Sequence, residues 1–308
     1  MTPVTEVRAG EIYESVKRWG RWGDDDQRGA LNLLTAERVS RATALATSGV
    51  VVSCGRELAV TPAADNPIPA QHHMTLAGDV GVRRAGLQAS ADFVGVAFHG
   101  MAVSHIDALC HVFVEGQMYN GYPASEVTSV GARQNSIAAG FDGIVGRGVL
   151  LDIPRLRGVD WLEPGDAISP GELDGACTAQ QVEVEPGDIL LIATGRDARR
   201  AQHGPWDPNA VGLAGLDAEC IPWLAQHDPS VLGCDGVSDV LPPYKHGWSM
   251  PLHMCMLVGM GVHLLDNLHL GRLGAACAAE QRWEFLFVVA PLQIGGGTGS
   301  PVNPIAIL

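Results

Sequence analysis

Apolar and polar positions alternate with two different periods along this chain, and the changes of period outline its elements. From Trp22 to Gly49 the segment WGDDDQRGALNLLTAERVSRATALATSG reads as a polar loop followed by a helix. Thr35 is placed to cap that helix, Val39, Ala42, Leu45 and Ala46 share one face, and Gly49 stops it. Val50 opens a strand, VVVSC. Residues 59–91 are rich in Pro, Ala, Gly and Asp, which predicts a long loop of the kind that serves as a lid or an interface arm. The alternating DFVGVAFH from Asp92 predicts a strand, and GVLLDI from Gly148 is continuously apolar, as in a strand buried on both faces. A Pro-Gly-Asp turn feeds another buried strand in EPGDILLIATG, residues 185–195. A short helix in DAECIPWLAQHD (217–228) leads into the strand SVLGCD. PLHMCMLVGMGVHLLDNL (251–268) begins as a helix and becomes extended near Val262. EFLFVVAPL supplies a late strand and PIAIL an edge. A β-rich order with a few helices, no internal repeat and no compositional break predicts one mixed α/β domain over residues 1–308.

Composition narrows the class. With 308 residues, 46% of them apolar and 18% charged, the chain can bury a full core and is not a disordered protein. The formal charge of −14 and the presence of only two lysines, Lys17 and Lys245, argue against nucleic acid and anionic membranes as partners, since both demand clustered basic residues. Seven cysteines at 54, 110, 177, 220, 234, 255 and 277 form no C-x-x-C pair and have mostly apolar neighbours. They read as free buried thiols in a reducing compartment. The N-terminal MTPVTEVRAGEIYESVKRWG has no secretory hydrophobic region, and MCMLVGMGVHLL is too short to span a bilayer. The expectation is a cytoplasmic protein.

One stretch carries chemistry: FHGMAVSHIDALCHVF, Phe98 to Phe113. It gathers His99, His105, Asp107 and His111 among apolar residues. Imidazole nitrogen and carboxylate oxygen are the usual donors to catalytic Zn²⁺ and Mn²⁺. His105 and Asp107 are two apart, so on an extended chain they share a face and can reach one ion. Leu109 continues that face if the strand persists toward His111. Burying so many titratable groups without a cation would cost several kcal/mol in unpaired polar atoms. A divalent ion that activates water is the expectation.

SHIDALCH resembles the metal motif H-x-G-T-H-x-D-x-P-x-H of the cyclase family of metal-dependent hydrolases, which includes bacterial kynurenine formamidases and isatin hydrolases. The resemblance makes His105 the second histidine of the motif, Asp107 its aspartate and His111 its last histidine. It implies that the first two histidines and the aspartate hold metal while the last histidine moves protons. Two departures stand out. Met101 occupies the place of the first histidine, so His99 can substitute only if the chain bends at Gly100; Leu109 replaces the proline. WGDDDQRGALNLLT is similar to the family's N-terminal signature, which implies that Trp22 and Asn32 lie near substrate. PLHMCMLVGMGVHLLDNLHL resembles the later segment that completes the metal site, implying His253 and Asp266, the aspartate standing where glutamate is usual. GGGTGSPVNPIAIL is similar to the family's ending, so the likeness runs from about Trp22 to the C-terminus. It implies a mixed-sheet domain of the swivelling β/β/α type, a Mn²⁺ or Zn²⁺ cofactor and a homo-oligomer (dimer or tetramer) for which the 59–91 segment could be an arm.

The reaction expected is hydrolysis of an amide, lactam or lactone in a small cyclic or aryl substrate. The ion would acidify water and polarise the carbonyl, and His111 would carry the proton. Trp248, like Trp22, stands beside glycine in a loop and suits a wall against a planar ring. The competing reading is a metal-binding or small-molecule-binding protein of the same fold without turnover, its lost activity marked by Met101. Other chemistries fare worse. No G-x-S-x-G is present, and apolar neighbours argue against Cys110 as a nucleophile. GGGTGS lacks the lysine of a phosphate loop and reads as a tight turn. Asp24, Asp25 and Asp26 lack calcium-loop spacing and read as a solvated turn, with Arg28 pairing to one of them. His72 and His73 read as surface residues.

Overall fold

A computed structural model describes residues 6–80, 86, 88–242 and 248–308. Its strands of three residues or more are β1 (Val51–Ser53), β2 (Gln71–Leu76), β3 (Ala91–Gly95), β4 (His105–Asp107), β5 (Ile144–Asp152), β6 (Ile189–Ala193), β7 (Val231–Cys234), β8 (His263–Asp266), β9 (Glu284–Val289), β10 (Gly299–Pro301) and β11 (Ile305–Ile307). Nine of them form one mixed sheet in the order β1-β11-β9-β5-β6-β7-β8-β4-β10. The four central strands β5, β6, β7 and β8 run parallel, and every pairing outside them is antiparallel. This is the mixed α/β class of the swivelling β/β/α type that the sequence implies. The apolar runs explain the centre: ILLIA of β6 and VLGC of β7 are buried at every position, as strands covered on both faces must be. Helices Ala36–Thr43 and Pro170–Gln180 pack against β5.

Three local expectations need correction. The helix after Thr35 is capped as foreseen, the Thr35 hydroxyl accepting from Arg38 N at 3.3 Å, but it ends at Thr43 rather than Gly49. The amides of Ser48 and Gly49 instead donate to the Leu308 carbonyl at 3.0 and 2.9 Å, so a long-range partner outcompetes another helical turn. PIAIL is no edge: β11 lies between β1 and β9. The 59–91 segment is more than loop, because QHHMTL of β2 and ADFVG of β3 pair as an antiparallel hairpin with an irregularity between Met74 and Leu76. That hairpin joins no other strand and leaves Met74, Phe93 and Val94 exposed. At its base Ala63 bridges Asn66, and the buried Asp65 carboxylate accepts from Arg200 at 2.6 and 3.2 Å.

All seven cysteines are free, six of them buried. No helix among the described residues is long and apolar enough to cross a membrane.

Candidate metal centre

β4 is the floor of the site. Its antiparallel register with β8 sets Asp266 opposite His105 and Leu264 opposite Asp107, so His105, Asp107 and Asp266 project from one face. On the other side β10 sets Gly299 opposite Asp107. A Cβ at Gly299 would lie 2.4 Å from the Ile106 carbonyl oxygen and 3.0 Å from His99 Cε1, so the Gly-rich ending lets backbone close against the site. The strand does not persist to His111. Ala108 N donates to Thr298 O at 3.0 Å and His111 N to Ala108 O at 2.9 Å, turning the chain. Leu109 therefore leaves the strand face for the core, and His111 returns to the site from the turn.

His99, not Met101, reaches Asp107. Gly100 has φ +142°, a bend open to glycine, and it lets His99 Nδ1 come within 2.9 Å of Asp107 Oδ1. Met101 packs with Leu213, Val237 and Leu241, and its carbonyl accepts from Arg196. The histidines converge from four places. His105 Nε2 is 3.3 Å from Asp107 Oδ1, and His111 Nε2 is 4.0 Å from the same oxygen. His253 Nε2 is 3.7 Å from Asp107 Oδ2 and 3.3 Å from Asp266 Oδ2. The His99 and His111 rings stack with centroids 3.8 Å apart.

The nitrogens facing away from the carboxylates are mostly tied. His105 Nδ1 meets the Val103 carbonyl at 2.8 Å, His99 Nε2 meets the Thr298 hydroxyl at 3.0 Å, and His253 Nδ1 meets Asp239 Oδ2 at 2.7 Å. Such outer partners fix the tautomer of a ligating imidazole. Among the described residues His111 has no partner of this kind, which leaves it free to exchange a proton.

Electrostatics at Asp107 points to a cation. Its side chain is 1% exposed, yet neither oxygen has a hydrogen-bond partner, nor does His99 Nδ1 or Asp266 Oδ1. Buried orphans of this kind are rare in folded proteins. Burial alone would raise the Asp107 carboxyl; His105 and His99 outweigh it and hold the group well below the usual carboxylate range. Burial pulls His105 and His253 down, but the carboxylates beside them win and raise both. His111 goes the other way: burial pushes it down to about 4, with Asp107 opposing only in part, so its ring is neutral at pH 7. Two sets of ligand atoms, His99–Asp107–His111 and His105–Asp107–Asp266, each lie within 4.8 Å of one another, and Asp107 belongs to both. Imidazole nitrogens and carboxylate oxygens in this arrangement fit a divalent ion.

A cavity of about 320 Å³ opens at His99, walled by Asn66, Ile68, Phe98, Met101, Val103 and Asn209. Trp22, Asn32 and Trp248 are not among its walls. The Asn32 amide donates to Asp26 Oδ1 at 2.7 Å and to the Gly29 carbonyl at 3.1 Å; the Trp22 ring lies under the Arg21 guanidinium, and Trp248 tilts against Tyr13. Asp26 is not part of a solvated turn. It accepts from Gly29 N at 2.9 Å and from the Tyr119 hydroxyl at 3.1 Å besides Asn32. Arg28 reaches Asp26 only through its backbone amide, at 3.4 Å. His72 is exposed beside Asp92, and His73 stacks on Phe93. Burial pushes the Cys110 thiol up to about 12, which leaves it unreactive. Sequence reasoning passed over Asp239, Thr298 and His263. His263 is fully buried, both ring nitrogens lack a partner, and burial pushes it down to about 4. It lies three residues before Asp266 and hence on the opposite face of β8.

The family model called Cyclase ("Putative cyclase") matches residues 38–239, more than half of the chain. The chain belongs to the Cyclase family. This cyclase is 30% identical to a crystal structure described as a novel cyclase, with a TM-score of 0.86 over 96% of this chain and 99% of that one. It is also similar in fold to isatin hydrolase A from Labrenzia aggregata, at 18% identity and TM-score 0.60 over 87% of this chain and 97% of that one. A protein described as a predicted metal-dependent hydrolase from Bacillus stearothermophilus shares the fold at 14% identity and TM-score 0.50, over 83% of this cyclase and 97% of that chain. No curated protein matches the sequence.

Proposed function

We propose that this protein is a metal-dependent hydrolase that uses water to cleave the amide, lactam or lactone bond of a small cyclic or aryl substrate. The observation that carries the reading is the buried Asp107 carboxylate, without hydrogen-bond donors, at the meeting point of His99, His105, His111 and His253. His99, His105, Asp107, His253 and Asp266 would hold Mn²⁺ or Zn²⁺. When bound, the ion supplies Lewis-acid polarisation of a carbonyl and lowers the pKa of water. His111 does the proton work. Its neutral Nε2 accepts a proton from the attacking water and returns it to the leaving nitrogen or oxygen. The cavity at His99 gives a small substrate room beside the site; its walls hold Asp65 and Asp207 but no Arg or Lys, which disfavours an anionic substrate. The roles of Trp22, Asn32 and Trp248 at substrate rest on the resemblance and on loop position, not on contact with that cavity.

The wider assignment follows the same logic. Strands drawn from Val51 to Ile307 into one sheet support a single domain over the 308 residues. An isolated two-stranded hairpin is marginal in water, so the exposed β2–β3 pair supports a homo-oligomer in which a second copy covers it. Free thiols and an acidic surface support a cytoplasmic protein. The reading of a binding protein without turnover loses ground because His99 stands in for the histidine that Met101 replaces.

The test is turnover of isatin, formyl-kynurenine and small lactones before and after chelation. Activity lost on chelation and restored by Mn²⁺ or Zn²⁺ supports the hydrolase. Metal-dependent stability with no turnover on the whole panel supports the binding protein.

A further inference from the structure

We infer that Asp239 is a positioning residue for this centre, holding His253 in the tautomer whose Nε2 keeps its lone pair for metal. The inference rests on the reading of His253 as a metal-holding residue. Asp239 lies in the segment after β7, and its side chain is 1% exposed. Its Oδ1 accepts from Leu252 N at 2.8 Å; its Oδ2 accepts from His253 N at 3.2 Å and lies 2.7 Å from His253 Nδ1. Those two amides open the helix at Pro251, where Met250 provides no side-chain cap. The carboxylate is thus anchored to the very turn whose imidazole it orients. Both Asp239 oxygens already accept main-chain amides, so Oδ2 meets Nδ1 as an acceptor, Nδ1 carries the proton, and Nε2 faces Asp266 and Asp107 at 3.3 and 3.7 Å. His105 is oriented by a main-chain carbonyl and His99 by a hydroxyl. Among the described residues Asp239 is the one carboxylate that orients a histidine of this centre from behind.

Asp239→Asn keeps the Leu252 cap through its amide oxygen, while its NH₂ takes the place of Oδ2, loses the bond from His253 N and meets Nδ1, forcing the imidazole proton onto Nε2. The experiment uses the full chain, with Zn²⁺ titrated against a competing chelator and ring-nitrogen ¹⁵N shifts recorded on the zinc-loaded protein. The expected result is a loss of about 10–100-fold in affinity for the ion that His253 holds, a second ion, where one binds, staying as in the parent, and the His253 proton moving to Nε2. His253→Ala should reproduce the affinity loss, and the double variant should be no worse than His253→Ala alone. Parent-like zinc binding by Asp239→Asn, a His253 proton that stays on Nδ1 in that variant, or additivity in the double variant would overturn the inference. If His253→Ala itself binds zinc as the parent does, the premise about His253 falls and the role of Asp239 with it.

Discussion

Replacing Asp107 by Asn tests the whole centre, because that carboxylate is common to both sets of ligand atoms. The substitution keeps size and removes the one negative charge against which His99, His105 and His111 all turn a nitrogen. An ion bound only by the native state and supplied at 100 times its Kd adds about 2.7 kcal/mol. For a chain of this size each kcal/mol is worth about 2 °C in Tm, so one ion gives about 5 °C and two give about 10 °C. The assay is thermal unfolding with and without Mn²⁺ or Zn²⁺ after chelation. The parent should rise by one of these two steps, and Asp107→Asn by essentially nothing. His99→Ala removes a ligand from only one of the sets, so if two ions bind it should retain about 5 °C. An Asp107→Asn variant that still shows the full metal-dependent rise would refute the placement of the ion.

Three further outcomes are expected. His111→Asn should keep the metal-dependent rise in Tm that the His105 set supplies yet lose about 10²–10⁴-fold in kcat on whichever substrate the parent turns over, since in the proposed mechanism it removes the proton carrier and no ligand of that set. His263 has a folded pKa of about 4 against an ordinary 6.5, so its contribution is intact above 6.5 and lost as pH falls toward 4; the shift is worth about 3 kcal/mol. Urea unfolding of His263→Leu should accordingly lack that portion of the acid-induced loss, and a pH dependence identical to the parent's would contradict the assignment. Arg200→Ala leaves the buried Asp65 carboxylate without its two-pronged partner and should cost about 1–3 kcal/mol in denaturant unfolding, with looser protease resistance around residues 63–68.

The residues alone determined much that is local. Thr35 caps its helix because a hydroxyl before an amphipathic run has few other uses. The apolar run at 189–193, fed by a Pro-Gly-Asp turn, reads as a buried strand and the run at 231–234 as a strand after a short helix, and the fold buries both at every position. The two-residue spacing of His105 and Asp107 put both on one side of an extended chain. The motif resemblance reached further and brought in His253 and Asp266, which the fold indeed carries to Asp107. Tertiary structure decided the rest. Whether His99 or Met101 faces Asp107 depended on a bend at Gly100 and on an apolar cluster around Leu213 that gives the methionine a better home. Asp239 and Thr298 have no local pattern, because an acceptor behind an imidazole needs only to be near in space. The C-terminal strand became interior, and the helix after Thr35 stopped early, through partners far along the chain. Periodicity reports which face of a segment is buried. It carries no information on what buries it, and strand order and register, set by long-range packing, supply that answer.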